Sequence, residues 1–235
     1  MKKLFVITPA PKKLISRIKV SNVPMTRGAY TVITLPHGLS KRRCERLWRT
    51  LKPTSGSVIL PPHSTAAEFH LPQKYAFSVD NALSYILLEA ALLLLKTNED
   101  RASKITLCIA DRSGKYAACT ERFIANCKTL KIYTQNPCAY FKVCEGMLNS
   151  HGCEPVISDK PGGCDVLLLP QSHIICIGSR RLKLNPDCIK LSGDGDLPAA
   201  LQLAMLMENR RMLNGKCSIC LYENGNKINI GKIQL

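Results

Sequence analysis

Asp111-Arg112-Ser113-Gly114-Lys115 stands between an apolar run, Ile105–Ala110, that reads as a strand and a helical pattern on its C-terminal side. A loop so placed turns the first backbone amides of a helix toward an anion, and the helix dipole favours negative charge there. Arg112 and Lys115 add two cations able to meet a phosphate, and Gly114 relaxes the turn. Asp111 opposes such a ligand unless its carboxylate turns away or caps the helix. Thr134 and Asn136, at the tip of the next strand in Tyr133-Thr-Gln-Asn136, fall beside this loop in a parallel sheet and complete the candidate site. The competing reading is a turn with solvated charges.

A second cluster breaks a local rule. Ser40 is a suitable N-cap for a helix over Ser40–Leu51, yet Lys41, Arg42 and Arg43 crowd its first turn, where the dipole disfavours cations. With Arg46, Arg49 and Lys52 they form a basic face opposite Trp48. Residues 1–52 hold thirteen Lys or Arg against one acid, Glu45, within a chain of formal net charge +16. Arg42, Arg43, Arg46 and Arg49 are therefore the candidate residues for nucleic acid or an acidic protein, against the alternative of a solvated face. Aromatic interleaving is poor, which counts against base stacking along a single strand.

The remaining reactive side chains assemble into little. His37 and His63 each follow a strand of the N-terminal part, where ligands gather in a parallel sheet; a shared cleft is the minority reading, against two unrelated loop histidines. Twelve cysteines fall mostly within apolar strand and helix patterns, which predicts reduced, buried thiols. Cys217-x-x-Cys220 has ligand-like spacing, but it lies in an apparent strand where positions i and i+3 face opposite ways. No metal site is expected from it. Asp194 and Asp196 in Ser-Gly-Asp-Gly-Asp hint at a metal, although capping explains Asp196. No GxSxG, P-loop or HExxH motif occurs.

The elements around the first loop alternate: ITLCIAD, a helix, LKIYT, a helix begun by Asn136-Pro137 and ended at Gly152, PVIS, DVLLLP and HIICIG. Strands separated by single helices imply a parallel sheet covered on both faces. Only Gln171 and Ser172 separate the last two runs, so one of them is a hairpin partner or an edge strand. Over about a third of the chain this plan resembles the broad NAD(P)-binding Rossmann superfamily. The resemblance implies a nucleotide or dinucleotide at the loop 111–115. The GxGxxG triad is reduced to one glycine, and no acid ends the second strand to meet a ribose 2′-hydroxyl, which favours NADP over NAD and is equally compatible with no cofactor. The layout is loosely similar to that of two-unit enzymes such as shikimate dehydrogenase and glutamyl-tRNA reductase, without their motifs.

The expected fold class is thus α/β: a Rossmann-like parallel sheet unit, a smaller N-terminal α/β unit and a C-terminal β-hairpin turned at Asn224-Gly225. A boundary near Thr97–Asp100 divides 1–98, a basic unit with a buried connecting helix, from 99–235, the Rossmann-like unit with its C-terminal helix and hairpin. The 235 residues suffice for two cores, and the leucine-rich segment Ala82–Leu95 is too short for a membrane span. A cytoplasmic protein with a nucleotide or other phosphate-bearing ligand, held between the units, is the primary expectation. Substrate, reaction and oligomeric state are not legible.

Overall fold

The computed structural model describes residues 3–10, 17–25, 28–36, 38–191, 197–208, 217–230 and 235. By compactness the chain divides into Met1–Val79 with Lys190–Ser218, and Asp80–Ile189 with Ile219–Leu235. The first unit opens with β1 (Leu4–Pro9), β2 (Lys19–Met25), β3 (Gly28–Leu35), α1 (Lys41–Leu51) and β4 (Val58–Ile59). Its sheet has the order β2-β3-β1-β4, with β1 parallel to β3 and β4 and with β2 antiparallel to β3. The chain therefore crosses from β3 through α1 to β4, on the far side of β1. Ser40 occupies the N-cap in extended conformation, but its side chain makes no capping bond. Before α2 the chain makes a 3₁₀ turn at Gln73–Tyr75 rather than a further strand. Only a single parallel bridge, from Ala76 to Val58, remains of strand pairing there. Pro72 at the start of that turn cannot donate to a ladder, which favours the turn over a strand.

The second unit comprises α2 (Val79–Thr97, from Asp80 onward), α3 (Glu99–Ala102), β5 (Thr106–Ala110), α4 (Ala117–Ile124), β6 (Thr129–Tyr133), α5 (Phe141–His151) and β7 (Val156–Ser158). In chain order there follow β8 (Val166–Leu169), β9 (Ile174–Ile177), β10 (Arg180–Lys183) and β11 (Ile189–Leu191), then α6 (Ala199–Glu208), which belongs to the first unit, and β12 (Cys217–Glu223) and β13 (Asn226–Asn229). The sheet runs β11-β12-β10-β9-β8-β5-β6-β7, with β13 beside β12. The three strands expected to share a parallel sheet do so: β5 is parallel to β6 and to β8, and β6 to β7. The short Pro170–Ser172 link makes β9 antiparallel to β8, and the Asn224-Gly225 turn sets Leu221 opposite Ile228. Between β7 and β8 residues 159–165 form no helix. They pass over the face bearing Lys131, whose Nζ donates to Gly163 O at 2.7 Å.

The division by compactness falls before α2, and α6 groups with the first unit. The alternation of β1 explains the latter. Phe5 and Ile7 pack with Cys44 and Trp48 of α1, whereas Leu4, Val6 and Ile59 present the opposite face to Leu201 and Ala204 of α6. The first sheet is thus covered on both faces, and α6 supplies the second cover. Asp80 onward, α2 belongs with α4: Glu89 pairs with Arg122, and the Tyr85 and Tyr116 rings meet edge to face at 5.4 Å.

The apolar side chains of α5 and of the turn before it are only partly inward. Tyr140 and Met147 are buried, Cys144 is half-buried and Leu148 is 51% exposed. The segment starts as a 3₁₀ turn, Pro137–Tyr140, before α5 proper, and its tighter winding shifts the phase of the α5 side chains. Buried thiols are also fewer than expected. Cys44, Cys108 and Cys188 are buried, Cys138 and Cys153 are exposed, and Cys119, Cys127, Cys144, Cys164, Cys176 and Cys220 lie between. Asp194, Asp196 and His37 fall outside the described residues, as do Asn214-Gly215, where the sequence suggests a helix end, and Gly231, where it suggests a bulge. Among the described residues no helix is long and apolar enough to cross a membrane.

Candidate functional site

The loop after β5 gathers the residues that the sequence singled out, around a carboxylate. Asp111 is wholly buried. Its Oδ1 accepts the Lys115 amide at 3.1 Å, its Oδ2 the Tyr116 amide at 2.7 Å, and the Ser113 hydroxyl lies 3.4 Å from Oδ1. Those amides belong to the turn that leads into α4, where an external phosphate would also approach the helix. Tyr140 donates its hydroxyl to Oδ2 at 2.8 Å. Burial first, and then the bond to Asp111, raise the Tyr140 hydroxyl above its ordinary value, so it stays protonated as the donor. Burial likewise raises Tyr116.

The tip of β6 is joined to the same loop. Arg112 O accepts the Gln135 amide at 3.0 Å and lies 3.4 Å from the Thr134 hydroxyl. Asn136 donates Nδ2 to Ser113 O at 3.1 Å and its amide to Thr134 Oγ1 at 3.0 Å. Gly114 has φ +76°, and a Cβ built on it would stand 2.3 Å from the Ala139 Cβ. This glycine thus allows the two loops to touch. Lys115 turns its ammonium to Asn81 Oδ1, while Arg112 is exposed. Asp111, Arg112, Ser113, Gly114, Lys115, Thr134 and Asn136 are therefore one network. Tyr116 and Tyr140 belong to it as well, although their spacing marks them only as core. Among the described residues no buried side-chain nitrogen or oxygen lacks a partner.

A different site lies in the first unit. A cavity of about 650 Å³ opens along α1 and is bounded on one side by Lys41, Glu45, Arg49 and Lys52. The opposing wall comes from His70, Leu71 and Tyr75, with Trp48 reaching the cavity from α1. Trp48 is 5% exposed and donates its indole N–H to Phe69 O at 3.0 Å, which ties the helix to the opposing segment. Arg49 lies 3.9 Å from Glu45 with both side chains open to solvent, a pairing too screened to neutralise the wall. Arg42, Arg43 and Arg46 are exposed on the same helix outside the cavity lining. Of the four arginines singled out by sequence, the structure thus places Arg49 at a cavity and the others on the adjoining surface. Lys52 belongs to the basic face expected from sequence. His70 and Tyr75 carry no such mark, because nothing in their spacing relates a helix end to a loop some twenty residues on.

Three of the described thiols are held away from nucleophilic chemistry by burial. Burial pushes Cys108 and Cys188 up to about 11 and Cys127 up to about 12, far from the thiolate form at neutral pH. Among the described residues no group of three or more His, Cys, Asp and Glu side chains is placed to hold a metal ion. His63 is exposed with a left-handed backbone at φ 62° and does not line the cavity along α1. No protein-family model, curated protein or solved structure matches the chain.

Proposed function

We propose that this is a ligand-binding α/β protein whose first unit takes a phosphate-bearing ligand on the basic side of α1, with the second unit a Rossmann-like scaffold. One contrast carries the reading. The Lys115 and Tyr116 amides that lead into α4 are already engaged by Asp111, while the first unit lines a cavity with Lys41, Arg49 and Lys52 against the single carboxylate of Glu45.

The Rossmann-like reading of the second unit draws on the consecutive parallel order β7-β6-β5-β8, which corresponds to strands 3-2-1-4 of a dinucleotide-binding sheet. Two departures count against a dinucleotide there. The stretch 159–165 replaces a crossover helix, and β8 turns at once into antiparallel β9, so no second nucleotide-binding half is built. NADP at the loop 111–115 is accordingly the weaker reading. It retains the exposed Arg112 but must compete with Asp111 for the amides.

Binding of pyrophosphate and of a short single-stranded oligonucleotide, measured at low and moderate salt, tests the proposal. Phosphate contacts release counterions, so affinity for the oligonucleotide should fall steeply with salt. It should vanish in Arg42→Glu/Arg46→Glu/Arg49→Glu and survive in Arg112→Ala/Lys115→Ala. The reverse pattern between the two variants moves the site to the second unit. Absence of any phosphate ligand overturns the proposal.

A further inference from the structure

We infer that the cavity along α1 is a mononucleotide site, in which the α1 cations take the phosphates and the wall of His70 and Tyr75 takes the base; this rests on the phosphate-ligand reading above. Size gives the first argument. A cavity of about 650 Å³ lies in the range of roughly 300–1,000 Å³ found for small-molecule sites, and an inorganic phosphate would fill little of it. Its composition is divided in the same way as a nucleotide. Lys41, Arg49 and Lys52 concentrate positive charge along α1, while Tyr75, Leu71 and the edge of Trp48 offer ring and apolar surface. Aromatic faces stack on any base, and arginine meets phosphate through a planar fork.

Backbone conformation supplies an independent argument. Lys52 and His70 both adopt left-handed backbone, at φ 48° and 45°. Each closes a helical turn: the Lys52 amide donates to Trp48 O at 3.0 Å, and the His70 amide to Ala67 O at 3.0 Å. Glycine is the usual residue at such a cap because a Cβ is strained there. A lysine and a histidine stand at these two positions instead, and both side chains line the same cavity. His63, His173 and Asn224 share such backbone away from the cavity, so what supports the site is that two such caps meet at one wall.

The single tryptophan of the chain, Trp48, reports on this cavity directly. Trp48 fluorescence of the full chain, titrated with ADP, adenosine and inorganic pyrophosphate, tests the inference. ADP should saturate the signal, and the two fragments should each bind at least about tenfold more weakly, since each omits one half of the contacts. Lys52→Gly should keep Tm unchanged or raise it while weakening ADP about tenfold, the loss of one charge-assisted contact. His70→Asn, which tolerates the left-handed backbone without offering a ring, should weaken ADP and leave pyrophosphate unaffected. Pyrophosphate binding as tightly as ADP would overturn the mononucleotide site and leave the phosphate-ligand reading standing. An oligonucleotide that binds while ADP does not would have the same consequence. ADP affinity unchanged in both variants would place its site elsewhere and refute the inference.

Discussion

Tyr140 donates its hydroxyl to the buried carboxylate of Asp111 at 2.8 Å, and so links the turn after β6 to the loop after β5. The same carboxylate accepts the Lys115 and Tyr116 amides. A helix N-terminus that would serve an external anion is here completed by an internal one. The loop therefore acts as a fastening between neighbouring strand ends.

Removing that carboxylate is expected to be costly. Asp111→Ala leaves the Lys115 and Tyr116 amides and a tyrosine hydroxyl without their partner, a loss of about 4 kcal/mol. Urea unfolding measures it. Inorganic phosphate should then raise the Tm of the variant more than that of the wild type, because the vacated amides accept an anion. A variant as stable as the wild type would show that the carboxylate does not hold the loop.

Tyr140 carries a pH dependence of definite sign. Its hydroxyl is raised from the ordinary value of 10.0, so below pH 10 both folded and unfolded chains keep the proton and its contribution is fully present. As pH climbs above 10 the unfolded tyrosine ionises while the buried one resists, and stability is lost progressively. Tyr140→Phe should remove about 1–2 kcal/mol at neutral pH and flatten the alkaline decline. Denaturant midpoints across pH 8–11 check both effects; an alkaline slope unchanged in the variant would assign it to other groups.

Gly114 is set by contact as much as by dihedral angle. Gly114→Ala would bring a Cβ to 2.3 Å from that of Ala139 and hold alanine at φ +76°. Separation of the two loops or strained backbone must result, at a cost of about 2–4 kcal/mol. A midpoint shift below half of this would mean that Ala139 yields freely.

Periodicity accounts for the part of the fold that is legible in the chain. The β-branched runs of β5, β6 and β8 announce a parallel sheet, and Gln171-Ser172 is too short for anything but a reversal. The Asn224-Gly225 turn fixes the Leu221–Ile228 register for the same local reason. The partners of separated elements are hidden. The alternation in Leu4-Phe5-Val6-Ile7 implies two buried faces, but it does not say that Leu201 and Ala204, nearly two hundred residues on, cover one of them. The site divides along the same line. Residues 111–115 with Thr134 and Asn136 are visible because adjoining parallel strands bring their tips together. That Asp111 turns inward, and that Lys52 and His70 share a wall, depends on side-chain direction and on left-handed backbone at non-glycine residues.

The first turn of α1 offers the sharpest test of whether its charge is kept for a ligand. Lys41, Arg42 and Arg43 face the positive end of the helix dipole, no acid stands in that turn, and Ser40 at the N-cap makes no side-chain capping bond. Arg43→Glu reverses one unfavourable charge and places a glutamate three residues after Ser40, which is the spacing of a capping box. The ligand-free protein should gain about 1 kcal/mol, seen as a higher urea midpoint at unchanged slope. The same substitution should weaken oligonucleotide binding and reduce its salt dependence, since Arg43 adjoins the proposed phosphate surface. Stability gained with binding lost would mean that function holds the arginine where the helix alone would not. Stability gained with binding unchanged would return Arg43 to the solvated surface and confine the phosphate contacts to the side of Lys41, Arg49 and Lys52.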